Sequence, residues 1–415
     1  MTTVALSGAA ADVVTATNLV ATAATYNGSV LEVFPFWPNY RSNFIERWEW
    51  KTDVLQSYDA TEQRVMLRAH ARRYFEFEVF ARSVDRAALE QALWYGQSNV
   101  LAIPCWNEGI QLSATTLQNP TTNFVPIPTA RFSVGGYAIG FTSPTKYSIY
   151  QIAAISSDGL RFLATVDWDA FTTVYPALIG TLNQQQPITR VTGDFTYGTI
   201  TFNGFATPSP YENTLLSYPL YLGYPVVEEV FDWSQNSTTT FEYKTQVLDN
   251  QLSAPFIDVE SLTTAMTQTT QWFLKSRPLI DNFLKFIHHC YGRLTPFWIS
   301  SGAVDMIPIS VVSNTLVCFD SGYTTLVVDK TSRCHIRIQL RSGAITYAKI
   351  LTSTLNTDGT ETMVLDQILT FTASSILLVS FLNLARLEAD RLELAFKGPT
   401  FATAAVTVRT LKNEL

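Results

Sequence analysis

The side chains best suited to chemistry here are a run of histidine and cysteine, a set of arginines and a few paired carboxylates. His288, His289 and Cys290 are consecutive, and Cys334-His335 follows later. A structural zinc site needs spaced pairs such as Cys-x2-Cys or His-x3-His, whereas consecutive helical residues point in different directions. The run therefore reads as one core cysteine and two histidines near the end of a helix, where positive charge is favoured. Cys334 with His70 or His335 has the composition of a nucleophile pair, but nothing marks either group as activated. Asp167 and Asp169 are candidates for the two acids that flank a glycosidic bond, without any positional signature. The stretch Gly135-Gly136-Tyr137-Ala138-Ile139-Gly140 lies among strand formers and has no following helix, so it does not read as a phosphate cradle. No P-loop, HExxH or GxSxG occurs. The expectation is a protein that is not an enzyme, with no cofactor and no metal.

Arg64, Arg68, Arg72 and Arg73 fall close together, with Glu62 and His70 among them. Arginine suits planar carboxylate pairing and is enriched at interfaces, so these four are expected to contact a neighbouring subunit. Arg190 with Asp194 and Arg386 with Asp390 repeat one Arg-x-x-x-Asp spacing and are expected to form structural ion pairs. Trp37, Trp48, Trp50, Trp106, Trp233 and Trp298 are expected as core and interface anchors, a sugar-stacking platform being the other reading.

These residues sit in a pattern that repeats. Trp48-Glu49-Trp50-Lys51-Thr52-Asp53-Val54-Leu55 returns as Phe241-Glu242-Tyr243-Lys244-Thr245-Gln246-Val247-Leu248, 193 positions on. Three further landmarks recur in the same order: Pro104-Cys105-Trp106 as Pro296-Phe297-Trp298, Tyr95-Gly96 as Tyr291-Gly292, and Arg190…Asp194 as Arg386…Asp390. The chain reads as a tandem duplication of a unit of about 200 residues, at the large end of the usual domain range. In each unit an alternating strand (Trp48 to Leu55) precedes a second one, Arg73 to Phe80 or Gln271 to Leu274. A helix follows: Ser83 to Gly96, or from Pro278 through Phe283, Leu284 and Ile287 to Gly292. Then comes a strand-rich stretch with the character of a small sandwich or barrel. A last strand, Phe195 to Phe202 or Arg391 to Phe396, is expected to rejoin the first sheet, which makes the strand-rich stretch an insertion.

The fold class expected is mainly β with a few helices (α+β). Its parts are an arm at 1–30, a first domain at 31–110 plus 191–205 with an insert at 111–190, a connector at 206–229, and a second domain at 230–300 plus 386–415 with an insert at 301–385. The 415 residues include 47% hydrophobic and 13% aromatic but only 15% charged residues, with Lys and Arg at 28, Asp and Glu at 35 and a net charge of −7. That balance argues against a nucleic-acid binder, which needs clustered cations, and against disorder. Low charge with abundant aromatics fits a subunit covered by partners. Cys105, Cys290, Cys318 and Cys334 show no disulfide framework and read as buried thiols formed in a reducing cytoplasm. No stretch is long and apolar enough to insert in a membrane.

The stretch from Trp48 to Arg73, and Lys275-Ser276-Arg277 through Gly292-Arg293 to Pro296-Phe297-Trp298, resemble tail-tip or baseplate proteins of long-tailed bacteriophages, of the distal-tail and hub type. The resemblance implies a β-sandwich or split barrel with a flanking helix that builds rings about the tail axis, from six domains or three double domains. It implies a virion structural protein, assembled in the host cytoplasm, whose partners are itself, the tail tube, the tape measure protein and other baseplate proteins. With the duplication, the expected assembly is a pseudo-hexameric trimer joining tube to tip. A hexameric distal tail protein is the alternative, and a host-surface carbohydrate-binding module of the tail is the alternative of another class.

Overall fold

The computed structural model describes residues 24–412, apart from 58–59, 97–98, 113–115, 118–123, 169–171, 213, 215, 217, 229–231, 253, 261–263 and 328–329. Most of the expected arm and Asp169 lie outside the described residues, as do 229–231, where the expected connector meets the second domain. The protein is mainly β with a few helices. Nine strands of each half have a match in the other, two of the nine forming a separate hairpin. In the first half they are β1 (Glu32–Val33), β2 (Phe44–Glu49), β3 (Thr52–Gln56), β4 (Glu62–Met66), β5 (Arg72–Arg82), β6 (Leu101–Pro104), β7 (Thr173–Leu182), β8 (Ile188–Arg190) and β9 (Phe195–Gly204), with helix α1 (Val84–Gly96). In the second half they are β10 (Tyr224–Val227), β11 (Thr238–Glu242), β12 (Thr245–Leu248), β13 (Phe256–Val259), β14 (Ala265–Leu274), β15 (Phe297–Ser300), β16 (Ile376–Leu387), β17 (Arg391–Gly398) and β18 (Phe401–Thr410), with helix α2 (Arg277–Cys290).

Alternation decides the strands. Along β5, Arg73, Phe75, Phe77, Val79 and Ala81 are buried while Arg72, Phe80 and Arg82 face out, the period of two that a pleated strand imposes. In α2 the spacing of Ile280, Phe283, Leu284 and Ile287 makes one apolar stripe. Pro278 stands in its first turn, and Tyr291 closes it in the left-handed conformation (φ 48°). The run from Trp48 to Leu55 is not one strand. It breaks at Trp50-Lys51, where β2 ends and the β3–β4 hairpin departs.

The two halves repeat the same set of strand pairings. β2 pairs antiparallel with β5 with Trp48 opposite Arg73, and β11 pairs with β14 with Phe241 opposite Met266. The β3–β4 hairpin sets Thr52 opposite Met66, and the β12–β13 hairpin sets Thr245 opposite Val259. The shift is 193 positions in all four strands. β5 pairs with β9 as β14 does with β18, and β8 with β9 as β17 does with β18, now with a shift of 206 on the later strands. β6 pairs with β7 as β15 does with β16, and the parallel β1–β6 contact recurs as β10–β15.

This register corrects three sequence landmarks. The counterpart of Phe195–Gly204 is β18, not Arg391 to Phe396, which matches β8. Arg190 takes the position of Phe396, and Arg386 lies on β16 at the position of Thr181. Trp106 stands in a short 3-10 turn beyond β6, whereas Trp298 lies inside β15, so the two are not equivalent. The insert boundaries move as well. β7 pairs through its first residues with Tyr137–Ser143 of the first insert and through its last with β6 and β9. β16 likewise pairs first with His335–Leu340 and then with β15 and β18. Each long strand is thus shared between insert and principal sheet, because a continuous ladder leaves no break in hydrogen bonding. The inserts keep cores of their own, around Trp168, Phe162 and Tyr150 in the first and Ile336, Leu316 and Phe381 in the second. A single larger core runs through the shared strands of both halves.

Candidate functional site

The halves meet where β2 pairs antiparallel with β17, from Phe44 opposite Phe396 to Glu49 opposite Arg391. Phe396 meets Phe44 edge-on at 6.0 Å, and Phe44 packs on Phe75 and Phe77 at 5.1 and 5.4 Å. Arg47 donates from Nε to Glu393 at 2.7 Å.

Past the end of β2 the chain is held by Asp390, in the turn between β16 and β17. The Trp50 N–H donates to the Asp390 carbonyl at 2.8 Å. The Thr52 N–H donates to one carboxylate oxygen at 2.7 Å and the Arg293 N–H to the other at 3.0 Å. Arg293 also donates to the Thr52 carbonyl at 2.7 Å. One carboxylate therefore collects backbone donors from both halves, the charge-assisted kind of hydrogen bond. The approach needs a glycine: Gly292 has φ +68°, and a Cβ there would lie 2.4 Å from the Asp390 carboxylate and 2.9 Å from Trp50 Cβ.

Trp48 and Trp50 fill the space between β2 and the end of α2. Their rings stack at 6.5 Å, and the His288 ring meets them edge-on at 4.6 and 5.4 Å. His288 donates from Nδ1 to the Leu284 carbonyl at 2.8 Å. Burial lowers its pKa to about 3, against the pull of that hydrogen bond and with help from the Arg73 charge. The positive charge expected near a helix end is thus absent at neutral pH, because desolvation outweighs the helix dipole. A prediction follows from the sign. The unfolded chain binds a proton at His288 below its ordinary value of 6.5 and the folded chain does not, so this stability is full above 6.5 and is lost as pH falls toward 3. Between pH 6.5 and 5, urea titrations should show the wild type losing up to about 1.4 kcal/mol per pH unit more than His288→Gln. Equal slopes would refute a neutral buried imidazole.

Two ionic ties flank the aromatic rings. Arg386 of β16 grips Glu62 of β4 with two bonds, 2.8 Å from Nε and 3.0 Å from a terminal nitrogen, and both side chains are buried. Burial pushes the Glu62 carboxyl up, but the Arg386 bonds and charge, with Arg64 and Arg409 behind, bring it below the ordinary value. Deeper, Arg73 donates to Glu46 at 2.9 Å and to Glu108, and its guanidinium lies 4.8 Å from the Trp48 ring centre. Arg277 of α2 joins this group through Asp281 at 2.8 Å, Tyr211 at 2.9 Å and the Asn107 carbonyl at 3.0 Å. Burial holds Glu46 above the ordinary carboxylate value, with Arg73 opposing.

The four arginines do not form one patch. Arg73 is buried inside the chain, Arg68 donates to the Glu49 carbonyl at 3.0 Å, and Arg64 lies half-buried beside Glu62. Arg72 alone of the four is exposed. His70 bonds Glu212 at 2.9 Å rather than Glu62. The two Arg-x-x-x-Asp pairs are not ion pairs either: Arg190 meets Glu90, Asp194 meets Arg82, Arg386 meets Glu62 and Asp390 meets Arg293. Of the expected anchors, Trp48, Trp50, Trp106 and Trp298 are buried, whereas Trp37 and Trp233 are exposed, as is Tyr243, the repeat counterpart of Trp50, at 71%. Trp106 packs on Phe141 and Tyr175 away from the joint, and Trp298 donates to the Tyr221 carbonyl at 2.8 Å. Glu46 and Glu108 were not singled out from the sequence, while Arg277, His288 and Arg293 were named there without the partners they take here. Glu46 carried a signal: it shares one strand face with Phe44 and Trp48, and an acid on a buried face requires a cation.

No protein-family model and no curated protein matches this chain. The joint is an adhesive arrangement. Its acids are engaged by arginines and backbone N–H groups, and burial pushes the Cys105 thiol far up, away from a nucleophilic thiolate. Among the described residues no group of three or more His, Cys, Asp or Glu is placed to hold a metal.

Proposed function

We propose that this protein is a structural subunit of a bacteriophage tail tip, in which two similar halves of each chain are successive members of one ring. The observation that carries this reading is that the head of the first half, β2 with its β3–β4 hairpin, is gripped by the tail of the second, β17 with α2, while among the described residues the matching strands β11 in the second half's head and β8 in the first half's tail each keep one open edge. A head-to-tail contact between similar units is heterologous, and such contacts repeat around an axis until they close. Three chains would supply six similar units, a pseudo-hexameric trimer able to join a six-fold tube to a three-fold tip. The resemblance of the motifs around Trp48 and Arg293 to distal-tail and hub proteins supports the location. The recurrence of pairings at fixed shifts supports descent of the halves from one duplicated unit.

Two measurements test the reading. Antibodies against the chain should label one end of phage tails in electron micrographs, and an averaged map of that end should hold three chains in a ring with approximate six-fold repeat. Six chains in identical positions would replace the trimer with a hexameric distal tail ring. Tails that bind no antibody would overturn the assignment to a tail.

A further inference from the structure

We infer that these two ends, each with an open strand edge among the described residues, are the parts of a second joint, formed between copies, in which the head of the second half docks on the tail of the first half of the next chain. This rests on the ring reading and names the surfaces that would build it.

On the head side, Phe241 and Tyr243 hold the positions of Trp48 and Trp50. They are 52% and 71% exposed, where the tryptophans are 4% and 2%. β11 pairs with β14 alone among the described residues, so the edge that β2 gives to β17 is open on β11. Val247, Leu248, Phe256 and Ile257 extend the exposed apolar surface along the hairpin. On the tail side, β8 pairs with β9 alone among the described residues, so the edge that β17 gives to β2 is open on β8. α1 buries only Leu89 and Gly96, whereas α2, which has a half packed on each side, buries seven residues. Trp94 is 72% exposed.

A cleft of about 480 Å³ lies between α1 and β8, lined by Glu90, Leu93, Trp94, Gln184, Ile188 and Arg190. Its counterpart in the second half, between α2 and β17, is the space occupied by Trp48 and Trp50. Gln184 holds the position of Asp390 and offers an amide oxygen to backbone donors there. The matched shifts fix a register: Thr239 opposite Ile188, Thr238 opposite Thr189, and Ser237 opposite Arg190. Pro187 lacks an N–H and limits the strip to these three residues. Exposed apolar faces and open strand edges are hazards for a lone chain. A second copy covers both faces with the geometry the chain already uses inside itself.

The test uses the full chain. Wild type should sediment at about three times 46.3 kDa. Phe241→Asp and Trp94→Asp should each weaken assembly at least about thirtyfold, as loss of an aromatic anchor does, with unfolding midpoints near wild type because both side chains are exposed. Mixing these two variants should restore one intact joint and give a one-to-one dimer that grows no further. A Thr189→Cys chain mixed with a Thr238→Cys chain should form a disulfide dimer that neither forms alone, since opposed strand residues lie within bridging distance. A trimer that is indifferent to both aspartates and gives no cross-link would leave the ring reading standing and overturn this surface. Wild type at 46.3 kDa under all concentrations tested would overturn both.

Discussion

Arg73→Met should lower the stability of the folded chain by about 3–5 kcal/mol in urea denaturation, the loss expected when one member of a buried ionic group is removed. The effect arises less from the attraction lost than from what stays behind. Glu46 and Glu108 are almost fully buried, and Arg73 is the cation in contact with both. Without it two carboxylates face each other in an apolar surround, and Arg277, 3.7 Å from Glu108, has to serve both. Combining Arg73→Met with Glu46→Gln and Glu108→Gln should recover most of the loss, because the charges that required solvation are then gone. Arg72→Ala, one residue away on the outward face of the same strand, should change stability by less than about 0.5 kcal/mol. A loss below about 1 kcal/mol for Arg73→Met, or no recovery in the triple variant, would refute the role given to this arginine.

Trp48→Ala should cost about 3–5 kcal/mol, the range for emptying a large aromatic site in a core. The indole is 4% exposed, meets His288 at 4.6 Å, lies under the Arg73 guanidinium and donates from Nε1 to Glu46 at 2.7 Å. Its removal leaves a void at the meeting of the two halves and takes one donor from a buried acid. Because Trp48 and Arg73 share Glu46, the double variant should depart from additivity by 0.5 kcal/mol or more, roughly the coupling seen between touching residues. Phe241→Ala, at the corresponding position of the second half, should leave the urea midpoint of the monomeric chain almost unchanged. Matching losses at the two positions would show that Phe241 is as well packed as Trp48 and would contradict the open head.

Both predictions depend on a difference between halves that sequence similarity conceals. Trp48 and Phe241 are alike in type, neighbours and register, yet one is enclosed and the other exposed. Local pattern specifies the strand and the face on which a side chain projects. What lies opposite that face is a matter of which surfaces meet, and those surfaces come from residues more than 340 positions apart, as in Arg47 with Glu393.

The amino-acid sequence alone determined the mainly β class, strands at Arg73 to Phe80 and Phe195 to Phe202 that extend a little further in the fold, the helices that follow Ser83 and Ser276, and the similar stretches through Thr52 and Thr245, because alternation, helical spacing and turn residues are local properties of the chain. Ion-pair partners and the alignment of the later strands were decided only in three dimensions. Arg190…Asp194 and Arg386…Asp390 share a spacing but take four different partners, since a salt bridge follows from side chains converging in space rather than from separation along the chain. The shift from 193 to 206 positions arises in the stretches between α1 and β8, and between α2 and β17, whose lengths differ. Hydrogen-bond register, which a strand cannot change by one residue without turning its apolar face outward, shows which residues hold matching positions there.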